Sequence, residues 1–306
     1  MTRISPVTPR ADWAPGRVED ISMGEGQPLV TPGGVVAFYD THPINEHEIL
    51  RKLAAQGVDP DACTENDLQA FDQDHYGGFE ATDALAEAGD IRPEHLVLDV
   101  CSGLGGPARY VAFRIGCRVT GIDLTTSRVE AARRLTARVG LTALVEFVQG
   151  DATRMPFPDQ SYDRVFGQEA WVHIEDKTAL VREIHRVLKP GGLVAFTDIV
   201  AVRPLTAERT AQLAGEMQFP PIVTAEQYLA AFARAGFHID RHDDLTADWK
   251  AILIARLEMY RSLRDTTIER FGQAHYETWD RKYAAFVGLY VADALGGARI
   301  VARRST

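Results

Sequence analysis

Acidic side chains and glycines stand together where an apolar segment of the sequence ends. In the stretch VLDVCSGLGGPA, the residues Gly103, Gly105 and Ala108 match the G-x-G-x-x-G/A pattern of a loop that approaches a nucleotide closely. Asp99 precedes that loop and Pro107 stands at the start of the predicted helix. Both argue against a pyrophosphate ligand, because a carboxylate repels phosphates and proline removes an N–H donor from the helix N-terminus. Asp99 would instead stabilise a cationic ligand through charge-assisted hydrogen bonds.

Two further acids follow later segments of strand length. Asp123 ends CRVTGID, about 20 residues beyond the glycine loop, where a carboxylate accepts hydrogen bonds from ribose hydroxyls, and this position alone suits NAD equally well. Asp151 and Ala152 follow LVEFVQG, so the acid can accept from an adenine amino group while the alanine leaves space for the ring. S-adenosylmethionine carries an ammonium and a sulfonium and no phosphate. The set of carboxylates therefore favours S-adenosylmethionine over a dinucleotide.

From residue 95 onward, apolar segments of strand length alternate with helical patterns. HLVLDVC, CRVTGID, LVEFVQG, YDRVFG and GLVAFTDIV are rich in β-branched residues, whereas SRVEAARRLTARV and DKTALVREIHRVL have helical periodicity. This alternation predicts an α/β fold with a parallel sheet covered on both faces. The predicted segments are a flexible N-terminal arm (1–34), a helical N-terminal cover (35–90), a nucleotide-binding α/β core (91–245), and a helical lid insertion with the last strand (246–306).

The motifs resemble those of the class I S-adenosylmethionine-dependent methyltransferases. The stretches VLDVCSGLGGPARYVA, VTGIDLT, VQGDATRMPFPDQSYDRVFGQEAWVHIEDK and REIHRVLKPGGLVAFTDIV carry the resemblance, which is dense over 71–200 and looser beyond. They are most similar to the small-molecule branch with the ubiquinone/menaquinone and glycine/sarcosine/dimethylglycine methyltransferases. The resemblance implies a Rossmann-like seven-stranded sheet whose last strand is antiparallel, with S-adenosylmethionine as cofactor and S-adenosylhomocysteine as product. The cofactor-binding residues that it implies are Asp99, Gly103, Gly105, Asp123, Leu124, Asp151, Ala152 and Gln168.

One position departs from the family pattern. Where the family often has its first glycine, this sequence has Cys101. Because this position carries a side chain, we expect backbone angles that residues other than glycine adopt readily, and we expect the thiol to pack against the sheet. A nucleophilic thiol is the alternative, but no histidine or basic residue stands next to it in the sequence to lower its pKa.

Candidate catalytic and substrate-binding residues lie around two loops. His173 follows the fourth strand and can accept a proton from a hydroxyl, an amine or an acidic carbon, or it can simply bond within the start of a helix. Glu169 can bind a cationic amine or cap a turn, and Trp171 can line a substrate pocket or pack in the core. His75 and Tyr76 resemble family residues that close over the methionine end, and the alternative is a loop that only seals the sheet.

Composition restricts the class of partner and the compartment. The 306 residues carry a formal net charge of −10, which disfavours nucleic acid as a partner. The three cysteines show no C-x-x-C spacing, so neither a disulfide framework nor a metal site is indicated and a cytoplasmic location is expected. No apolar run reaches membrane-spanning length, and the proline-rich arm is either loosely held or docks on a second subunit.

The sequence thus predicts a small-molecule methyltransferase acting on an amine nitrogen. A C- or O-methyltransferase of secondary metabolism, with His173 as general base, is the alternative acceptor chemistry. Alternatives of other classes are a nicotinamide-dependent oxidoreductase and a protein that binds S-adenosylmethionine without turnover. Asp198, which ends the fifth strand-like segment, is expected to be a solvated acid rather than a metal ligand.

Overall fold

The apolar segments pair into one seven-stranded sheet. The computed structural model describes residues 29–40, 42, 44–73 and 75–306, so the expected arm lies mostly outside the described residues. The strands are β1 (Leu96–Val100), β2 (Arg118–Asp123), β3 (Val145–Gln149), β4 (Tyr162–Gln168), β5 (Leu188–Ala201), β6 (Phe237–Asp244) and β7 (Leu295–Arg304). The α-helices are α1 (Pro32–Asp40), α2 (Glu46–Ala55), α3 (Glu65–Gln69), α4 (Gly78–Ala88), α5 (Gly106–Ile115), α6 (Thr126–Arg138), α7 (Lys177–Val187), α8 (Ala207–Met217), α9 (Ala225–Arg234), α10 (Thr246–Ser262), α11 (Arg264–Phe271) and α12 (Gln273–Val291).

The strand order is β3-β2-β1-β4-β5-β7-β6. β1 pairs in parallel with both β2 and β4, whereas β7 runs antiparallel to both β5 and β6. The prediction of a seven-stranded α/β sheet with an antiparallel last strand is therefore confirmed. Because the order reverses between β1 and β4, the carboxyl ends of these strands leave a crevice for a ligand.

The side chains of each strand point alternately to the two faces of the sheet and pack in the core on both sides. Val97 of β1 packs with α4, α5 and α6, and the next residue, Leu98, faces α7 and α9 on the other side. Successive side chains of a strand point to opposite faces, so a strand buried on both sides must be apolar throughout. Asp99 is the exception in β1, since its side chain is 3% exposed within an otherwise apolar strand.

Helices before and after the sheet meet above its carboxyl edge. α2 and α3 pack on α6 through a separate apolar cluster, and α10 and α12 pack on the ends of β5 and β7 through another. The two groups also touch each other, because Arg270 of α11 pairs with Glu48 of α2 at 2.8 Å. The exact limits of the predicted cover and lid stay a prediction. Across the described residues we find no helix with the length and apolarity needed to cross a membrane.

Candidate active site

A cavity lies at the carboxyl ends of β1 to β4. Its volume is about 330 Å³, which is within the range of small-molecule pockets. The loops that follow these four strands form its floor, and α1 crosses its mouth. Among the predicted site residues, the lining ones are Asp99, Gly103, Asp123, Leu124, Asp151, Ala152, Gln168, Glu169, His173 and His75.

The glycine loop turns sharply through left-handed backbone conformations. Cys101 has a φ of 67° and Gly103 a φ of 53°, and the Gly103 N–H donates to the Asp123 carboxylate at 2.9 Å. The expectation of ordinary backbone angles at Cys101 is therefore wrong: the chain leaves β1 in a conformation that non-glycine residues rarely adopt. The thiol packs partly against the core, as expected, and burial raises its pKa well above the usual value, so it is no thiolate.

Two neighbouring glycines have different physical roles. Gly105 does not line the cavity; its φ is 78°, and a Cβ there would lie 2.2 Å from the Phe147 ring. The prediction that Gly105 contacts the cofactor is thus replaced by a packing role. Gly106, which sequence reasoning did not single out, does line the cavity, and a Cβ there would meet the Asp72 carbonyl oxygen at 2.2 Å. The cover segment around Asp72 therefore crosses directly over the loop.

Asp99 and Ser102 bring unpartnered polar atoms to the cavity. Asp99 Oδ2 and Ser102 Oγ are buried and have no hydrogen-bond partner in the described structure. Burial, with a smaller contribution from Asp123, raises the pKa of Asp99 well above its usual range. A buried acceptor without a partner is costly, so it marks a place where a ligand donor fits.

The other predicted cofactor contacts lie along β2 and β3. Asp123 accepts the N–H groups of Gly103 and Thr125, which fixes its carboxylate at the cavity wall, and burial raises its pKa. Leu124 lies beside it, half-buried. Across the cavity, Asp151 is exposed and accepts both the N–H and the hydroxyl of Thr153, and Ala152 is buried next to it.

His75 is held in a network that leaves it neutral. Its Nδ1 lies 3.2 Å from Gln168 Nε2, and its Nε2 lies against the Gln73 amide oxygen. Thr82 donates its hydroxyl to Gln168 Oε1 at 3.1 Å, which orients that amide. Burial lowers the pKa of His75 to about 4. Since both ring nitrogens have partners, the arrangement suits positioning of Gln168 better than the catalytic role predicted for His75.

Glu169 projects a buried carboxyl group at the end of β4. It accepts the backbone N–H of Tyr76 and the hydroxyl of Thr197, the latter at 2.9 Å, and its own φ is 52°. Burial raises the pKa of Glu169 to about 8, although the Tyr76 and Thr197 bonds and the nearby charge of Arg256 act in the opposite direction. The group therefore titrates near neutral pH and faces the cavity.

A tyrosine and a histidine meet across the mouth of the cavity. The Tyr39 hydroxyl lies 2.9 Å from His173 Nε2, and His173 Nδ1 lies 3.0 Å from the Gln218 carbonyl oxygen. A carbonyl oxygen only accepts, so Nδ1 carries the proton and Nε2 accepts the Tyr39 O–H. Burial lowers the pKa of His173 to about 4. Sequence analysis assigned no role to Tyr39, and its 134-residue separation from His173 explains why.

Two predictions are corrected by burial, and a third residue lies outside the cavity lining. Trp171 does not line the cavity; it is 1% exposed, donates Nε1–H to the Val100 carbonyl and stacks on Phe196, so it does not contact substrate. Tyr76 is also absent from the lining and packs edge-on against Trp249. Asp198 is fully buried rather than solvated, and it accepts the hydroxyl of Tyr228 at 2.6 Å and an N–H of the 3₁₀ turn Trp171–His173.

Comparison with known proteins identifies the family. Residues 98–196 match the family model described as a methyltransferase domain. Two curated relatives are both 31% identical: the phosphoethanolamine N-methyltransferase of Triticum aestivum over 201 residues, and the glycine/sarcosine/dimethylglycine N-methyltransferase of Actinopolyspora halophila over 157. The alignments cover 66% and 51% of this chain but 39% and 28% of those proteins, so the chain spans well under half of their length.

A solved structure gives the same answer for the fold. Phosphoethanolamine N-methyltransferase 2 of Haemonchus contortus superposes with a TM-score of 0.72 at 23% sequence identity, over 89% of this chain and 60% of that one. Residues 98–196 form a methyltransferase domain, and the chain has the class I methyltransferase fold. The predicted family is confirmed, and this methyltransferase fold, together with the carboxylates along the cavity, sets aside the nicotinamide oxidoreductase alternative.

S-adenosylmethionine is the cofactor of this methyltransferase family, and the residues present fit it. The unpartnered Asp99 Oδ2 and Ser102 Oγ suit an ammonium donor, and the Asp123 carboxylate lies where ribose hydroxyls can donate. Leu124 and Ala152 give the far end of the cavity apolar surfaces suited to the adenine ring, beside Asp151. A diphosphate in the same place would face Asp99 and Asp123 directly, which is electrostatically unfavourable.

Proposed function

We propose that this chain transfers a methyl group from S-adenosylmethionine to an amine nitrogen of a small molecule. The charge of the cavity is the observation that carries the proposal. Seven carboxyl groups line its described wall, namely Asp72, Asp99, Asp123, Asp151, Glu169, Glu175 and Asp176. Asp72 is paired with Arg109, and burial raises the pKa of Asp99 and Glu169, so a cationic donor and a cationic acceptor would favour the ionised form of these two groups.

The donor supplies an activated methyl group, so the chain mainly has to bind, orient and exclude water. Asp99 binds the methionine ammonium, and Asp123 accepts from the ribose. Gln168, oriented by Thr82 and His75, faces the methionine end from β4. These contacts direct the methyl group toward the acceptor end, where Glu169 and His173 lie.

Glu169 is the partner proposed for the ammonium form of the acceptor. Its pKa of about 8 means that the carboxyl group is largely protonated at neutral pH in the empty site. A cation within reach favours the ionised form, so binding the amine releases a proton from Glu169. The Thr197 and Tyr76 bonds hold the carboxylate in place and thereby align the nitrogen.

The Tyr39–His173 pair is the proposed proton acceptor. The ammonium form of the acceptor has to lose a proton before a nitrogen lone pair can attack the methyl group. His173 is neutral near pH 7 because its pKa is about 4, so Nε2 can take the Tyr39 proton while the tyrosine oxygen takes one from the amine. His173 is thus held by Gln218 in the tautomer that this relay needs.

A hydroxyl or acidic-carbon acceptor is the second candidate. The same Tyr39–His173 relay would deprotonate it, with His173 as general base, and a role in secondary metabolism would fit. A hydroxyl or an acidic carbon brings no positive charge to Glu169, which is why the amine is preferred.

The acceptor atom can be tested with donor carrying a trideuterated methyl group. The chain is incubated with this donor and fractionated cell extract, and fragment masses locate the label in each product. Label on nitrogen supports the proposal, and its loss in Glu169→Gln, with retention in the cavity-remote Glu258→Gln, assigns the anchor. Label on oxygen or carbon would overturn the proposal in favour of the second candidate. Donor binding without label in any product would identify a non-catalytic binding protein.

A further inference from the structure

We infer that the acceptor of this site has an apolar body and carries no phosphate or carboxylate group. This inference deepens the proposed methyl transfer and rests on it for the location of the acceptor. It sets this chain apart from the phosphoethanolamine enzymes among its relatives, whose named substrate carries a phosphate.

The one arginine of the described lining is already used. Apart from histidines, Arg128 is the one basic side chain in the described lining. Its Nη1 donates to the Ile44 carbonyl at 2.7 Å and its Nη2 to the Tyr39 carbonyl at 2.9 Å, and the residue is 4% exposed. Arg128 therefore supports the backbone of the cover rather than a ligand. A bound phosphate needs arginine forks or a cluster of free N–H donors, and the described wall instead presents carboxylates to it.

The acceptor end is the part of the cavity beside α1. Tyr39 of α1 bonds His173, which follows β4, and the last residue of α1, Asp40, accepts the Ser127 hydroxyl of α6. The start of α1 packs instead on α8, which follows β5, so this end of the helix lies away from β3 and Asp151. The lining residues of this region are Val30, Thr31, Pro32 and Val35. All but Thr31 are apolar, and Thr31 Oγ1 accepts the Gly34 N–H at 3.1 Å. Val30 and Val35 are 6% and 8% exposed and pack on Ala214 of α8.

These walls determine what the acceptor can be. Apolar surfaces that a ligand covers stabilise it in proportion to its own apolar area, whereas an anionic group in the same place would lose its hydration without gaining a partner. The amine of the acceptor meets Glu169 and the Tyr39–His173 pair, and its apolar remainder lies along Val30, Pro32 and Val35. A molecule with an amine at one end and a phosphate at the other does not match this division.

Three probes with the same eight-carbon chain test the inference. The full chain is saturated with S-adenosylhomocysteine, and calorimetry measures the affinity for octylamine, 1-octanol and octyl phosphate at pH 7.5. We expect octylamine to bind at least about 100-fold more tightly than octyl phosphate, because like charges in an interface cost several kcal/mol. Tighter binding of octyl phosphate would overturn the inference, and so would the failure of all three probes to bind.

The probes distinguish a failure of the proposed amine acceptor from a failure of the apolar, phosphate-free acceptor. If 1-octanol binds more tightly than octylamine while octyl phosphate stays weakest, the amine proposal falls and the apolar acceptor stands. A matched pair of variants locates the wall: Val35→Asn should weaken octylamine binding about tenfold, whereas Val36→Asn, on the same helix but outside the lining, should not. S-adenosylhomocysteine affinity should be unchanged in both variants. An equal effect of the two substitutions on octylamine would contradict the assignment of the wall.

Discussion

The carboxylate at the end of β1 offers the sharpest test of how the cavity binds its cofactor. Asp99→Asn removes the group that can ionise when a cation binds and keeps the shape of the side chain. Asp99 is 3% exposed and its Oδ2 has no partner in the described structure, so a ligand ammonium would be its one strong donor. A hydrogen bond to a charged group contributes about 1.5–3 kcal/mol. A loss of about 2–3 kcal/mol corresponds to S-adenosylhomocysteine binding about 30- to 140-fold more weakly.

A second ligand separates this effect from general damage to the site. 5′-Methylthioadenosine has the same nucleoside and sulfur but lacks the ammonium, so Asp99→Asn should change its affinity by less than about threefold. The control Asp151→Asn keeps an oxygen acceptor beside the adenine and alters the site equally for both ligands, so any loss should be the same for both. Calorimetric titration of both ligands with all three proteins gives the answer. Equal losses for both ligands in Asp99→Asn would refute the assignment.

Asp99→Asn weakens ligand binding, but it should not lower the thermal stability of the ligand-free protein. Burial raises the folded pKa of Asp99 above its ordinary value of 3.8, so the folded state binds this proton more tightly than the unfolded state does. By linkage, ionisation of Asp99 lowers the free energy of unfolding as the pH rises above 3.8 toward the folded pKa. Asparagine removes that penalty. The thermal midpoint of ligand-free Asp99→Asn at pH 7 should therefore equal or exceed that of the wild type, and a lower midpoint would contradict the argument.

Three other substitutions test the proton relay, the glycine loop and the lid. Tyr39→Phe removes the O–H bonded to His173, so if the proposed relay operates, single-turnover methyl transfer should fall by about 10²–10⁴ with donor affinity unchanged. A rate within threefold of wild type would exclude the relay. In Gly105→Ala the new Cβ would clash with the Phe147 ring at a position whose backbone is left-handed, so the free energy of unfolding in urea should fall by about 2–4 kcal/mol. The control Gly140→Ala has a similar φ of 71° but open surroundings, so its free energy of unfolding should fall by about 1 kcal/mol. Arg256→Met removes the bond to the His75 carbonyl and a positive charge near Glu169, so the pKa of Glu169, read from the pH dependence of acceptor binding, should rise above about 8. The control Arg264→Met should leave this pKa unchanged. An unshifted pH profile in Arg256→Met would show that the lid does not position the Glu169 carboxyl group.

Much of the cofactor half of the site was predictable from the sequence. Parallel strands end at one edge of their sheet, so acids that follow three successive apolar segments must lie near one another whatever the helices do. Asp99, Asp123 and Asp151 line one cavity for this reason. The alternation of strands and helices likewise predicted the sheet. It did not predict α1, because its sequence PGGVVAFYD contains two glycines, which disfavour a helix that lacks tertiary support.

The acceptor half was decided by the tertiary structure. The pairing of Tyr39 with His173 joins residues 134 positions apart, and the bond from the Tyr76 N–H to Glu169 spans 93. Local sequence patterns do not show which residues so far apart in the chain come into contact. The pKa values of these residues in turn depend on burial, which the tertiary structure decides. Burial also placed Trp171, which follows β4, in the core, and it enclosed Asp198, which lies within β5 and not at its end. The sequence by itself determined which chemical groups meet at the sheet edge. Only the packing of α1, α8 and the lid helices over that edge decided which of them face a ligand.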